Sequence, residues 1–213
     1  MHLQTLLITL TLALTIQTTA TPIPLSLFAR DATLTESQVK AIAPKSNTCD
    51  DAPAKGECAT AKQAAKFTSK SFTTYKVTSK AEQAAIISLM AFESGDFKYN
   101  KNHYPGVAGQ GTRNMQSPSF NKKYASSLPA LKDKLPSVSN SPADLLDLLL
   151  SDGAIDFGSG AWFLTTQCSQ EVRAALADGS ESGWQRYISD CVGTSVTEDR
   201  KAYWERAVKA LGL

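Results

Sequence analysis

From Ala84 to Phe92 every residue but Ser88 is apolar, so this stretch has no face to turn towards water. Ser79 and Glu82 stand ahead of it at the spacing of a capping box, in which hydroxyl and carboxylate reciprocally satisfy free backbone N–H groups. Glu93, Ser94 and Gly95 follow it, and glycine is the natural residue for leaving a helix. A helix that is apolar all round must be enclosed by other elements. The chain therefore has to build a shell around residues 79–95.

The rest of the sequence supplies that shell as helices. Residues 33–43 form one, stopped by Pro44, and an Ala/Lys-rich segment forms another from Thr60 to Phe67. Lys62, Lys66 and Lys70 lie four apart on it as a solvated face. Ser141 and Pro142 open a helix filled by Leu145–Leu150 and ended by Gly153. Residues 157–167 read as a buried helix despite Gly158 and Gly160, Ser169 caps 170–177, and a further helix covers 181–191. Thr197, with Glu198 and Asp199 in the first turn, opens the last. Trp162, Trp184 and Trp204 fall in these helical patterns, Trp184 partly exposed behind Gly183. There is no internal repeat and no linker, so the expected fold class is mainly α: a single helical domain. Its one long irregular segment, 96–118, is rich in Gly, Asn and Pro and forms a loop or small hairpin.

Residues 1–20 are read apart from the fold. The apolar run Leu3–Ile16 is too short to span a bilayer, and Thr18-Thr19-Ala20 suits signal-peptidase cleavage, so 1–20 is expected to be a signal peptide. Residues 21–30 read as a short pro-segment, and the folded domain is expected over 31–213 of a secreted, extracellular, monomeric protein. A formal net charge of +2 does not argue for nucleic acid, and no second apolar run argues for a membrane. Cys49, Cys58, Cys168 and Cys191 are expected to form disulfides in an exported chain. Of the three pairings, proximity favours Cys49 with Cys58 and Cys168 with Cys191. The spacing does not suit zinc, and no metal or cofactor is expected.

Glu93 is the candidate for chemistry. The apolar helix it terminates should desolvate it, and the negative end of a helix opposes a carboxylate, so its acidity is expected to be weakened. Helix C-termini favour cations, which makes a Glu at this place one that needs an explanation. The loop that follows offers Asn100, Asn102, His103 and Tyr104 for hydrogen bonding and stacking, and Gly106, Gly109 and Gly111 for close approach of backbone to ligand. No Lys-Ser/Thr follows those glycines, which excludes a phosphate loop. His103 lacks a nucleophile, which argues against a Ser/His/Asp hydrolase.

Glu93-Ser94-Gly95 and the Met115-Gln116 pair that closes the loop resemble the goose-type lysozymes and the soluble lytic transglycosylases, and the chain as a whole is similar to secreted lysozyme-like proteins of filamentous fungi. The resemblance covers residues 79–118 and is loose beyond them. It implies an α+β lysozyme-like fold and a glycosidase acting on bacterial peptidoglycan: a muramidase with Glu93 as general acid. A lytic transglycosylase, a chitin- or chitosan-cleaving enzyme, and a non-catalytic glycan-binding effector are its alternatives. It implies Ser94, Met115 and Gln116 as groove residues, and Gln110, Asn100, His103 and Tyr187 join them as candidate substrate contacts. Tyr203 rivals Tyr187. The chain departs from that family in carrying Arg113-Asn114 where relatives have Gly-Leu, and Ser117-Pro118 where goose-type enzymes place an Asp. Asp96, Asp152, Asp156 and Asp190 are the remaining candidates for a second carboxylate.

Overall fold

Eleven α-helices shape the protein in a computed structural model that describes residues 33–213. The expected signal peptide and pro-segment lie outside the described residues. In chain order the helices are α1 (Glu36–Ile42), α2 (Ala61–Thr74), α3 (Lys80–Glu93), α4 (Pro118–Ser126), α5 (Leu135–Val138), α6 (Pro142–Leu150), α7 (Gly153–Asp156), α8 (Gly158–Gln167), α9 (Gln170–Ala177), α10 (Glu181–Arg186) and α11 (Glu198–Leu211). A π-helical turn, Tyr187–Val192, prolongs α10. Among the described residues no helix is long and apolar enough to cross a membrane.

The enclosed helix is α3, buried at every position from Ala81 to Ala91. Helix α11 packs along it, with α8 and α9 on other sides. Burying Ile86, Ile87, Leu89 and Met90 this completely contributes on the order of 2 kcal/mol each. Gly160 permits the approach of α8: a Cβ there would stand 3.0 Å from the Met90 sulfur and 3.1 Å from Ile86. A second apolar cluster, built on Tyr124, Leu145, Leu149, Trp162 and Phe163, lies under α4 and α6. Tyr75, Val192 and the Cys168–Cys191 disulfide pack against both clusters and join them. Cys49 and Cys58 form the other disulfide, so both near pairings hold.

Local signals place the helices well and their interiors less well. Thr60 caps α2 through a full capping box with Gln63, and α2 runs past Phe67 to Thr74. Ser79 accepts from the Glu82 N–H as expected, but Glu82 does not reciprocate; its carboxylate bonds Arg173 Nε of α9 at 2.8 Å. The expected 157–167 helix is α8, and a short helix the sequence did not signal, α7, precedes it and meets it at Phe157. Trp184 is buried, not partly exposed, stacked on Trp204 with ring centroids 5.1 Å apart.

The protein is mainly helical, but no small hairpin forms: among the described residues the 96–117 segment makes only two isolated bridges, Lys101 with Gly111 and Gly111 with Gln116. Side chains hold its backbone instead of a strand ladder. Asn102 Oδ1 accepts from the N–H groups of Gly106 and Val107, and Glu57 Oε2 accepts from those of Asn100 and Lys101. Arg113, 3% exposed, donates through Nη1 to the carbonyls of Phe97 and Tyr99 and through Nη2 to that of Glu57. Its Nε donates to Asp156 Oδ2 at 2.8 Å, while its backbone N–H binds Asp156 Oδ1 at 2.9 Å. Burial pushes the Asp156 carboxyl up, and the Arg113 guanidinium opposes the shift. Removing one member of such a pair leaves an uncompensated buried charge, so Arg113→Met is expected to destabilise the fold by about 3–5 kcal/mol. Urea denaturation measures this, and a loss below about 1 kcal/mol would show that the loop does not depend on the pair.

Candidate functional site

Two clefts meet at the C-terminal end of α3. The first, of about 320 Å³, is lined by the apolar Leu89, Phe120, Phe163 and Val192 and by the polar Gln110, Asn114, Gln116, Ser117, Thr194 and Arg200. The second, of about 330 Å³, is lined by Tyr99, Lys101, Asn102, His103 and Tyr104. Glu93 and Met115 line both, so the clefts form one groove bent over these two residues.

The turn after α3 sets Glu93 in that place. Ser94 Oγ donates to the Met90 carbonyl at 2.6 Å and accepts from the Phe97 N–H at 3.1 Å. Gly95, Asp96 and Phe97 then take three successive positive φ angles of 57°, 59° and 64°. Only the glycine adopts this conformation freely. Asp96 is held there by the Lys45 N–H at 2.8 Å and by the Tyr203 hydroxyl at 2.5 Å, whose ionisation burial and Asp96 both oppose. Met115, at the other side of the groove, has φ 47°.

Glu93 is not the lone carboxylate the sequence suggests. Arg200, from the first turn of α11, donates from Nη2 to Glu93 Oε1 at 2.9 Å. The Glu93 side chain is 22% exposed and that of Arg200 15%. The guanidinium lies over the Phe92 ring, 4.6 Å from its centroid, and donates from Nη1 to the Ser195 carbonyl. Its Nε is buried without a partner. Arg200 escaped the sequence reading, although a cation in the first turn of a helix opposes the helix dipole and stands out for that reason.

The other candidates divide. Gln110, Met115 and Gln116 line the first cleft, and His103 lines the second, its Nε2 2.8 Å from Glu57 Oε1. Ser94 does not face the groove; it is buried and shapes the turn behind Glu93. Asn100 lies beneath the loop, 6% exposed, with Nδ2 directed at Asp156. Tyr187 is fully buried and lines neither cleft, its hydroxyl unpartnered. Burial, then the charge of Glu93, pushes the ionisation of that hydroxyl well above the usual tyrosine range. Tyr203 supports Asp96 and packs edge-on against Phe92.

None of the four aspartates supplies a second carboxylate to the groove. Asp96 and Asp156 are held as described, Asp152 caps α7, and Asp190 lies between Ser189 and Arg186. Tyr99, Asn114, Phe120 and Phe163 are groove residues that the sequence reading missed; for Phe120 and Phe163 only the packing of α4 against α8, ring on ring at 4.9 Å, brings them together.

No family model matches the chain, and no solved structure matches it. Among curated proteins it is similar to a bifunctional dioxygenase (DOX)–epoxy alcohol synthase (EAS) of Fusarium oxysporum (strain Fo5176), 48% identical over 157 residues. The match covers 71% of this chain and 12% of the relative. That finding overturns the lysozyme-like recognition and, with it, the muramidase function, its glycan-directed alternatives, the hydrolase class and peptidoglycan as partner. The relative is an enzyme, in keeping with the expectation of an enzyme, but its name describes no glycosidase. The Glu-Ser-Gly and Met-Gln patterns that suggested one have structural work here: Ser94 and Gly95 build a tight turn, and Met115-Gln116 closes a loop fastened by Arg113.

Gly111 is, with Gly109, one of the two tightest glycines of that loop. A Cβ there would stand 2.5 Å from the Asn100 carbonyl oxygen and 2.8 Å from the Leu146 side chain. Gly111→Ala is expected to cost about 1–3 kcal/mol and to displace the polar lining of the first cleft. Thermal melting and amide chemical shifts of Gln110 and Gln116 test this; unchanged shifts would show that the loop absorbs the methyl elsewhere.

Proposed function

We propose that this chain is an enzyme domain in which Glu93 moves a proton at an oxygen atom of an elongated, uncharged substrate lying across both clefts. The observation that carries the reading is the junction itself: one carboxylate, common to two clefts, with one guanidinium against it. A carboxyl group so placed can give or take a proton at a substrate hydroxyl or ether-type oxygen. The Arg200 guanidinium, which lines the first cleft, sets positive charge beside an oxygen on which charge develops. Tyr187 is buried nearby, its ionisation opposed first by burial and then by the charge of Glu93.

The walls suggest the substrate class. The first cleft combines Leu89, Phe120, Phe163 and Val192 with polar side chains, which suits a molecule that is part apolar and part oxygenated. The second combines the Tyr99 and Tyr104 rings and Met115 with Lys101, Asn102 and His103, and Tyr104 is almost fully exposed at its rim as a surface for stacking. An epoxy alcohol, with two oxygen functions on a carbon frame, is one member of that class, and the relative's name supports choosing it for the first trial. Since the chain spans about an eighth of that relative, the assignment concerns the shared segment and not the relative's whole activity.

The full chain should be incubated with epoxy alcohols and simple epoxides of increasing chain length, with products separated by liquid chromatography and mass spectrometry. Wild type is expected to convert at least one, and Glu93→Gln to lower the rate by about 10²–10⁴-fold, the usual contribution of a positioned acid or base. Arg200→Met should lower kcat more than it raises KM. A panel left unconverted by folded wild type, or a fully active Glu93→Gln variant, would sink the reading.

A further inference from the structure

Lys101, Asn102, His103 and Glu93 line the second cleft, and each is already engaged by the protein. Lys101 Nζ pairs with Asp147 Oδ1 at 2.5 Å, and His103 Nε2 lies 2.8 Å from Glu57 Oε1. Asn102 Oδ1 accepts from the N–H groups of Gly106 and Val107, and Glu93 is held by Arg200. What the cleft leaves to a ligand is chiefly ring surface. Tyr104 is 93% exposed, more than any other large hydrophobic side chain among the described residues, and Tyr99 is partly exposed.

Tyr99 is also fastened in place. Its N–H donates to the Ser94 carbonyl at 3.0 Å, and its own carbonyl accepts from Arg113 Nη1 at 2.9 Å. The chain at Gly95 passes so close that a Cβ there would stand 3.4 Å from the Tyr99 ring. The His103 ring packs on the Tyr99 ring, with centroids 5.3 Å apart and planes tilted by 53°. Glu57 fixes this arrangement, since one of its oxygens meets His103 and the other accepts from the N–H groups of Asn100 and Lys101.

We infer that the second cleft is a subsite for an uncharged planar ring, with Tyr99 and Tyr104 as the side chains that meet it. A flat unsaturated ring makes offset or edge-to-face contacts with aromatic side chains that a saturated ring of the same size cannot make. A charged ligand is disfavoured, because Lys101 and Glu93 each already face an opposite charge that it would have to displace. The inference names the substrate class of the proposed site and rests on the reading of the two clefts as one groove, but its test needs no turnover.

Two matched pairs of probes differ in the ring: phenol with cyclohexanol, and benzamide with cyclohexanecarboxamide. Benzoate serves as the charged counterpart of benzamide. Each is titrated into the full chain while ring signals of Tyr99 and Tyr104 and the methyl signal of Met115 are followed by NMR. In wild type the aromatic member of each pair is expected to bind about three- to tenfold more tightly, the worth of one aromatic contact, with shifts at these residues. Benzoate should bind more weakly than benzamide. Tyr104→Phe should keep the ring preference, and Tyr104→Leu, which keeps an apolar side chain but removes the ring, should reduce it to less than twofold. Native-like spectra of both variants confirm that the fold is intact. Equal binding within both pairs, no binding by either aromatic probe, shifts confined to Phe120 and Phe163 of the first cleft, benzoate binding as tightly as benzamide, or an undiminished preference in Tyr104→Leu would overturn the inference. Ring selectivity without Glu93-dependent turnover would remove the proposed reaction and keep the subsite; turnover without ring selectivity would do the reverse.

Discussion

The groove depends on one buried ion pair. Arg113 and Asp156 are each almost wholly withdrawn from water, and neither charge could stay there alone. Together they tie α7 to the loop, and the remaining guanidinium N–H groups gather carbonyls from Glu57, Phe97 and Tyr99. Arg113 stands two residues ahead of Met115, so this fastening also fixes the wall where the two clefts meet. Its guanidinium lies over the Phe157 ring at 5.0 Å, which ties the polar knot to the apolar core beneath.

A loop fastened in this way need not be a sheet. The backbone groups of 96–117 find partners in Glu57, Asn102, Arg113 and Asn121 rather than in a neighbouring strand. That frees the chain to take positive φ at Asp96, Phe97, Thr112 and Met115, conformations that a strand ladder would forbid. The strained turns lie on either side of Glu93, where a rigid surround over-determines them. The groove is thus shaped by side-chain hydrogen bonds, and its walls are as firm as the pair beneath them.

This explains what could be read from the sequence and what could not. Caps are local: Ser79, Ser141, Ser169 and Thr197 each accept from an N–H three residues on, and the helices start where those residues say. The all-round apolar run of α3 demanded enclosure and received it. His103 was found from the Gly-rich loop that follows Glu93, whereas Met115 and Gln116 came from the family resemblance and line the groove all the same. Arg113 gave no such signal: a lone arginine in a polar loop reads as a surface charge until a partner 43 residues away is known. Tyr187 and Ser94 misled in the opposite direction, since polar residues near a candidate acid suggest contact while the folded chain buries both. The Glu-Ser-Gly and Met-Gln signature failed for the same reason. It records a turn and a loop closure, and those serve more than one kind of protein.

The ion pair at the groove has an energetic oddity that bears on its purpose. Glu93 ends α3, where the helix dipole favours a cation, and Arg200 sits in the first turn of α11, where it favours an anion. Exchanging the two charges would suit both helices better and keep the attraction between them. Each charge instead stands at the wrong pole, compensated mainly by the other. A pair selected for stability alone has no reason to adopt this order. A pair that must present a carboxylate to the junction of two clefts does, because α3 ends at that junction and α11 brings the counter-charge to it. The two helices that enclose each other most extensively also meet there, so the core that stabilises the fold is the same packing that holds Glu93 against Arg200.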